Sequence, residues 1–417
     1  MSLPQGFKAE LARVLAPGRV ADAPETLWCH SCDATNAPLP PDVVAFPKTE
    51  AEVSAAMALC HRWRVPVTPR GAGVGFSGGC VPARGGLVLV LTRMNRILEI
   101  DLDNLVAVVE PGVITQALQD RVRRDGLFYP PDPASVKSST LGGNVAECAG
   151  GLSAVKYGVT KHYVLGLRFV LPDGRVGEYG GKIVKNVAGY DLIGLLVGSE
   201  GTLAVITRLT LKLLPLPEAR RTLLVSFDGV ERAGECVSRI IRARIIPTAL
   251  ELMDRASLTA VDELLHFGLP AGTDTLLLVE VDGKPADLAE DARRLLQVVG
   301  GSGGHVVLEA SDEAERERIW EFRRSVSPAI NRLGNLKINE DVVVPRSEVP
   351  RVIRLVEAVA RRRRLRIVSF GHAGDGNLHL NIMVDRAKAP EVARAHRAVE
   401  EILRAVVAMG GAISGEH

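Results

Sequence analysis

Two histidines, His372 and His379, stand seven residues apart in the stretch FGHAGDGNLHLN, on either side of a Gly-Asp-Gly-Asn turn. The residues before the turn (LRIVSF) and after it (LHLNIMV) are strand-like, so the two imidazoles are expected to flank the mouth of a hairpin. Asn381, two residues beyond His379, then points to the same face. Two imidazoles with one open side are half of a metal site, and a pair of ordinary loop histidines fits the same spacing. The chain closes on AISGEH, which adds a carboxylate and an imidazole, Glu416 and His417. A second pattern with chemical potential is Gly73, Gly75 and Gly78, which satisfy G-x-G-x-x-G. A Rossmann fingerprint joins a strand to a helix, so that pyrophosphate meets the helix N-terminus. Here another glycine pair, Gly85 and Gly86, and a strand follow, which argues against a nicotinamide site. Successive glycines still suit a nest of backbone N–H groups around phosphate oxygens, and a plain surface turn fits them equally. Cys29 and Cys32 form a C-x-x-C around His30, but no second metal-spaced pair follows and no strand leads into a helix there, so an ordinary loop is expected.

The elements that must hold these groups are readable from periodicity. Residues 48–64 carry apolar positions at helical spacing, and strands are expected over 87–91, 105–109, 164–171 and 203–211. Helices fit TQALQDRVRRDG and the stretch leading into YDLIGLLVGSEG. Pro215 and Pro217 punctuate the chain, which sets a boundary between domains at 1–215 and 216–417. Beyond it TLLVSF, ALELMD, TLLLVEV and HVVLEA read as strands separated by helices, an α+β layer of helices on an antiparallel sheet. A helix over 313–333, a strand into NEDVVVP and a helix over VPRVIRLVEAVARRRR follow. Its four terminal arginines, 361–364, suit the negative end of the helix dipole, and an anionic-lipid patch is the less economical reading.

Composition sets limits on what the assembly does. With 51 basic and 49 acidic residues in 417, a net charge of +2 gives no electrostatic case for nucleic acid, and 4% aromatics leave little for base stacking. No 18-residue apolar run and no basic-then-apolar start appear, so a cytoplasmic protein is expected, with no signal peptide and no membrane span.

Several stretches then carry a family resemblance. PRGAGVGFSGG, VVEPGV, YPPDPASVKSSTLGGNVAECAGG, KYGVTKHYVLGLRFVLPDG and KNVAGYDLIGLLVGSEGTLAVIT, in that order within about 42–214, resemble the FAD-binding domain of the vanillyl-alcohol oxidase and p-cresol methylhydroxylase flavoproteins. The resemblance implies a two-part FAD-binding domain of the p-cresol methylhydroxylase type, followed by an α+β substrate (cap) domain with an antiparallel sheet. By the same resemblance Arg70, Gly71, Ala72, Gly73, Val74 and Gly75 cradle the pyrophosphate. Pro131, Asp132, Ser138, Ser139, Gly142, Gly143 and Asn144 run along the flavin and ribityl chain, and Glu200, Gly201 and Ile206 lie on the adenine and isoalloxazine side. Some members attach FAD covalently through histidine or cysteine. This loop holds no histidine and Cys80 follows the turn, so a dissociable FAD is expected.

GHAGDGNLHLN with a later SGEH resembles the D-2-hydroxyacid dehydrogenase branch of that family, which includes the glycolate oxidase flavin subunit and D-lactate dehydrogenases. The resemblance implies oxidation of a small D-2-hydroxy acid, with His372, His379 and Glu416 holding a divalent metal, zinc or manganese, and His417 as the base. From WEFRRSVSPAI it implies Arg323, Ser327 and Lys337 as the clamp for the substrate carboxylate, with Asn381 as a further donor and Arg324 as the competitor of Arg323. Such a dehydrogenase passes electrons to a partner, and the glycolate oxidase likeness suggests an iron–sulfur or other flavoprotein subunit, at the inner face of the membrane. Relatives continue past SGEH with a glycine-rich turn and a C-terminal helical stretch, which this sequence, ending at His417, is expected to lack. The competing readings are a flavoprotein alcohol oxidase of the same fold without metal and a non-catalytic FAD-holding subunit of a larger complex.

Overall fold

A computed structural model describes residues 3–35 and 37–414. The described residues form two compact units, one of residues up to Gly151 with Gly158–Leu216, the other of Leu152–Tyr157 with residues 217–414. The short segment Leu152–Tyr157 thus belongs with the second unit, which a single cut at residue 215 does not anticipate. Its anchor is electrostatic: Lys156 and the Tyr157 hydroxyl both donate to the buried carboxylate of Asp282.

The first unit contains a four-stranded sheet and a five-stranded one. In the smaller, Val43–Ala45 and Val67–Arg70 each run parallel to Leu87–Val90. Helices Phe7–Val14 and Glu50–Trp63 bury Phe7, Leu11, Val53 and Ala56 against it. Glu50–Trp63 begins in a capping box: the Thr49 side chain accepts from Glu52 N–H, and the Glu52 carboxylate accepts from Thr49 N–H. The larger sheet is antiparallel, in the order Ile97–Asp101, Val106–Val109, Val205–Lys212, Val164–Val170, Val176–Gly180.

The second unit is one antiparallel sheet of seven strands, ordered His305–Glu309, Ala219–Phe227, Thr275–Gly283, Ala249–Met253, Arg366–His372, Asn377–Val384, Leu336–Val343. Helices cover both faces. Val230–Arg242, Pro285–Gly301, Val349–Arg363 and Ala389–Ala408 pack Ile240, Leu295, Val352 and Ile402 on one face. Arg255–Leu265, Glu313–Arg324 and Val326–Ile330 pack Leu258, Ile319, Phe322 and Ala329 on the other. This is the α+β class with an antiparallel cap sheet that the strand pattern indicates.

One local reading changes. The helix expected over 313–333 divides at Ser325 into Glu313–Arg324 and Val326–Ile330, followed by a 3-10 turn at Asn331–Leu333. Pro328 explains the break, because it has no N–H for the Arg324 carbonyl and its ring crowds that position. The arginines ending Val349–Arg363 are met by neighbouring carboxylates, Arg362 and Arg363 by Glu401 and Arg361 by Glu357. Among the described residues no helix is long and apolar enough to cross a membrane.

Candidate active site

In the first unit a cleft is lined by Arg70, Gly71, Gly142, Gly143, Glu200, Gly201 and Ile206, all expected from the sequence, together with Cys80 and Glu147. Gly71 is required by close approach: a Cβ there would stand 2.3 Å from Thr140 Oγ1. Arg70 is only 7% exposed, and its guanidinium reaches the Cys80 carbonyl at 3.4 Å and thiol at 3.3 Å. Among the described residues it is paired with no carboxylate, and a buried guanidinium calls for an anion. A pyrophosphate is such an anion, so these residues fit FAD. Burial pushes the Glu147 carboxyl up, aided by Glu200 and Asp33 against the hydrogen bond from Ser77, toward the uncharged form that an anion site favours. Burial also raises the Cys80 thiol, which makes it a poor thiolate nucleophile. The other expected contacts are not in this lining. Ser139 and Asn144 are buried and bond to Thr115, Asn144 Nδ2 donating to its Oγ1 at 2.7 Å. Ala72, Val74 and Gly75 continue the loop past the lining, and Pro131, Asp132 and Ser138 lie in the segment leading to the helix Leu141–Glu147.

In the second unit the hairpin expected around the histidines is present: Arg366–His372 pairs with Asn377–Val384 through a turn at 373–376. Strand register assembles the site. Glu251 lies directly across from His372, and Asp341 directly across from His379. The four side chains form a row over four adjacent strands. His372 Nδ1 donates to Glu251 Oε1 at 2.6 Å, and His379 Nδ1 stands 3.1 Å from Asp341 Oδ1. A carboxylate only accepts, so His372 carries a proton on Nδ1 and turns its Nε2 toward His379. The two Nε2 atoms face each other at 3.4 Å. Two nitrogens bound tetrahedrally to one ion at about 2.0–2.1 Å stand roughly 3.3 Å apart. Phe370 walls the pair, packing on His379 with ring centroids 5.4 Å apart.

The remaining expected residues fall differently. Asn381 is on the His379 face and 1% exposed, and among the described residues its Nδ2 has no hydrogen-bond partner. Lys337, on the neighbouring strand Leu336–Val343, is half-buried on the same face, and burial lowers its ammonium pKa. Arg323 is 6% exposed and points into the row, whereas Arg324 is exposed and pairs with Glu317, which separates the two competitors. Arg323 is however committed, with Nε at 2.9 Å and Nη2 at 2.6 Å from Glu251 Oε2. Trp320 anchors the same helix by donating to Glu280 Oε2 at 2.9 Å. Ser327 is exposed, off the buried face made by Val326, Ala329 and Ile330. Glu416 and His417 lie outside the described residues, and among those described no group of three potential ligands is assembled. Glu251 and Asp341 were not singled out from the sequence. The one signal was the carboxylate inside the apolar strand ALELM, where a charge is rarely buried unless paired, whereas LKINEDVV is half polar and gave none for Asp341.

Comparison with known proteins gives the family and the fold. Residues 41–180 match the FAD binding domain model and 216–417 the FAD linked oxidases, C-terminal domain model. The chain is 42% identical over 411 residues to glycolate oxidase subunit GlcD of Bacillus subtilis, covering 98% of this chain and 87% of that protein. It is 34% identical to a D-lactate dehydrogenase of Anaerostipes hadrus, covering 98% and 88%. Among solved structures, p-cresol methylhydroxylase with substrate bound shares the fold at a TM-score of 0.80 and 18% identity, over 99% of this chain and 89% of that one. The chain is thus an FAD-linked oxidoreductase of the p-cresol methylhydroxylase fold. It belongs to the FAD-linked oxidase family, in the branch of the glycolate oxidase flavin subunits and D-lactate dehydrogenases.

Proposed function

We propose that this chain oxidises a small D-2-hydroxy acid, of the glycolate or D-lactate kind, to the 2-oxo acid. The observation that carries the reading is the pair of Nε2 atoms 3.4 Å apart, with Glu251 bonded behind His372 and Asp341 3.1 Å from the Nδ1 of His379. Carboxylates in this position are the usual partners of metal-bound histidines. When bound, FAD supplies the acceptor for the α-hydrogen as hydride, and a zinc or manganese ion supplies a Lewis acid for the substrate hydroxyl. His372 and His379 would hold the ion through Nε2, with Glu416 as the third ligand, and Phe370 packs on the His379 ring. His417 takes the hydroxyl proton, a role suited to an imidazole near neutral pH. Asn381, a buried donor lacking a partner among the described residues, and Lys337 receive the substrate carboxylate. Arg323 contributes the edge of its guanidinium that Glu251 leaves open, and Ser327 plays no part.

The relatives named as subunits support electron transfer onward to a partner protein. All six cysteines are unpaired and scattered among buried and exposed positions, so an iron–sulfur centre in such a complex belongs to the partner. The test is anaerobic reduction of the bound flavin by matched D- and L-2-hydroxy acids and simple alcohols. Bleaching by D-acids alone supports the proposal. Bleaching by alcohols lacking a carboxylate favours the metal-free oxidase, and no bleaching by any of them favours a non-catalytic subunit.

A further inference from the structure

Glu251 sits in the middle of Ala249–Met253, a strand whose other residues are all buried and apolar, and its side chain has no exposed surface. A carboxylate in such a place is destabilising unless its oxygens are fully used. One explanation is that Glu251 merely neutralises Arg323. The geometry is different. An arginine neutralised for its own sake takes both carboxylate oxygens in a fork. Here Nε and Nη2 of Arg323 converge on Oε2, and Oε1 is given to His372 Nδ1 at 2.6 Å. The carboxylate is divided between two side chains from different elements, the helix Glu313–Arg324 and the strand Arg366–His372. Each oxygen determines a direction: Oε1 fixes the His372 tautomer with Nε2 toward His379, and Oε2 fixes which edge of the guanidinium is left for other partners.

We infer that Glu251 is a positioning residue that serves the metal ligand His372 and the substrate-facing Arg323 at once, so that one carboxylate sets both cation affinity and substrate binding. The inference rests on the metal reading proposed above. Without the Nδ1 acceptor, the His372 proton is free to move to Nε2, where it occupies the lone pair that a metal needs. Without an acceptor for Nε and Nη2, the guanidinium turns and its remaining edge no longer addresses the substrate.

The experiment compares FAD-loaded wild-type protein with Glu251→Gln, reading the zinc dissociation constant by chelator competition, the FAD content and the steady-state constants for a D-2-hydroxy acid. Zinc affinity should fall roughly 10–100-fold, the range for losing an outer partner of a metal-bound histidine. KM measured at saturating zinc should rise as well, with FAD content unchanged. Since Gln leaves Arg323 buried without a counter-charge, E251L combined with R323L provides a second variant that removes both charges and suits the apolar surroundings. It should show the same loss of zinc affinity. Wild-type protein that binds no zinc or manganese would refute the metal reading itself. Wild-type protein that binds zinc, with either folded variant binding it within about twofold as tightly, would overturn the role of Glu251 alone.

Discussion

Arg323 and Arg324 are adjacent, chemically identical and opposite in environment. Arg323→Ala leaves the Glu251 carboxylate buried without its main counter-charge, a loss of about 3–5 kcal/mol of stability. Arg324→Ala removes only an exposed pair with Glu317, worth less than about 1 kcal/mol. Urea unfolding of the two variants should show that contrast, and equal losses would mean that the helix phase is wrong. Burial alone would raise the Glu251 pKa, but Arg323 and His372, which is charged in acid, outweigh it and hold it down at about 2. Because that lies below the unfolded value of about 4.3, the stabilisation is complete at neutral pH and is lost as pH falls from about 4 toward 2. Melting temperature should therefore drop more between pH 7 and pH 3 in the wild type than in E251L combined with R323L. His372, His379 and Asn381 were legible because their types are uncommon around a turn and their spacing is local. Glu251 was not, because its partners are 72 and 121 residues away and only the folded register brings them together.

At the scale of elements, the hairpin is the part on which the site depends, and its turn has little tolerance. Gly376 adopts φ +85°, and a Cβ there would stand 1.9 Å from the Val344 carbonyl oxygen. Gly376→Ala should destabilise the unit by more than about 1 kcal/mol and loosen the histidine pair, seen as a lower melting temperature together with weaker zinc retention. The strands of this sheet were readable because each is a short apolar run bounded by turn residues, and the helices because their apolar positions repeat at 3.6. Their order in the sheet was not. Placing Ala249–Met253 beside Arg366–His372 depends on pairing across more than a hundred residues, for which the local pattern carries no signal. The interruption at Ser325 was readable in principle from Pro328, whose missing N–H marks it.

For the whole molecule, the cleft that fits FAD and the polar row around the histidines belong to different units. Purified protein should be yellow and should release FAD intact on acid precipitation, since the loop has no histidine and the Cys80 thiol is held protonated by burial. Flavin remaining with the precipitate would contradict a dissociable cofactor. The glycine loop and the terminal SGEH made the family legible from sequence, whereas the crossing of Leu152–Tyr157 into the second unit did not show, because its partners, the Asp282 carboxylate and the core on which Leu152 packs, are distant in sequence. The central claim is that His372 and His379 hold a divalent cation on which 2-hydroxy acid oxidation depends. The most direct measurement is anaerobic flavin reduction by a D-2-hydroxy acid before and after treatment with a strong chelator, with metal and FAD quantified in both samples. The account predicts about one zinc or manganese per chain before treatment, and afterward full FAD, no metal and no reduction until the ion is restored. Rapid reduction by metal-free, FAD-replete protein would contradict it.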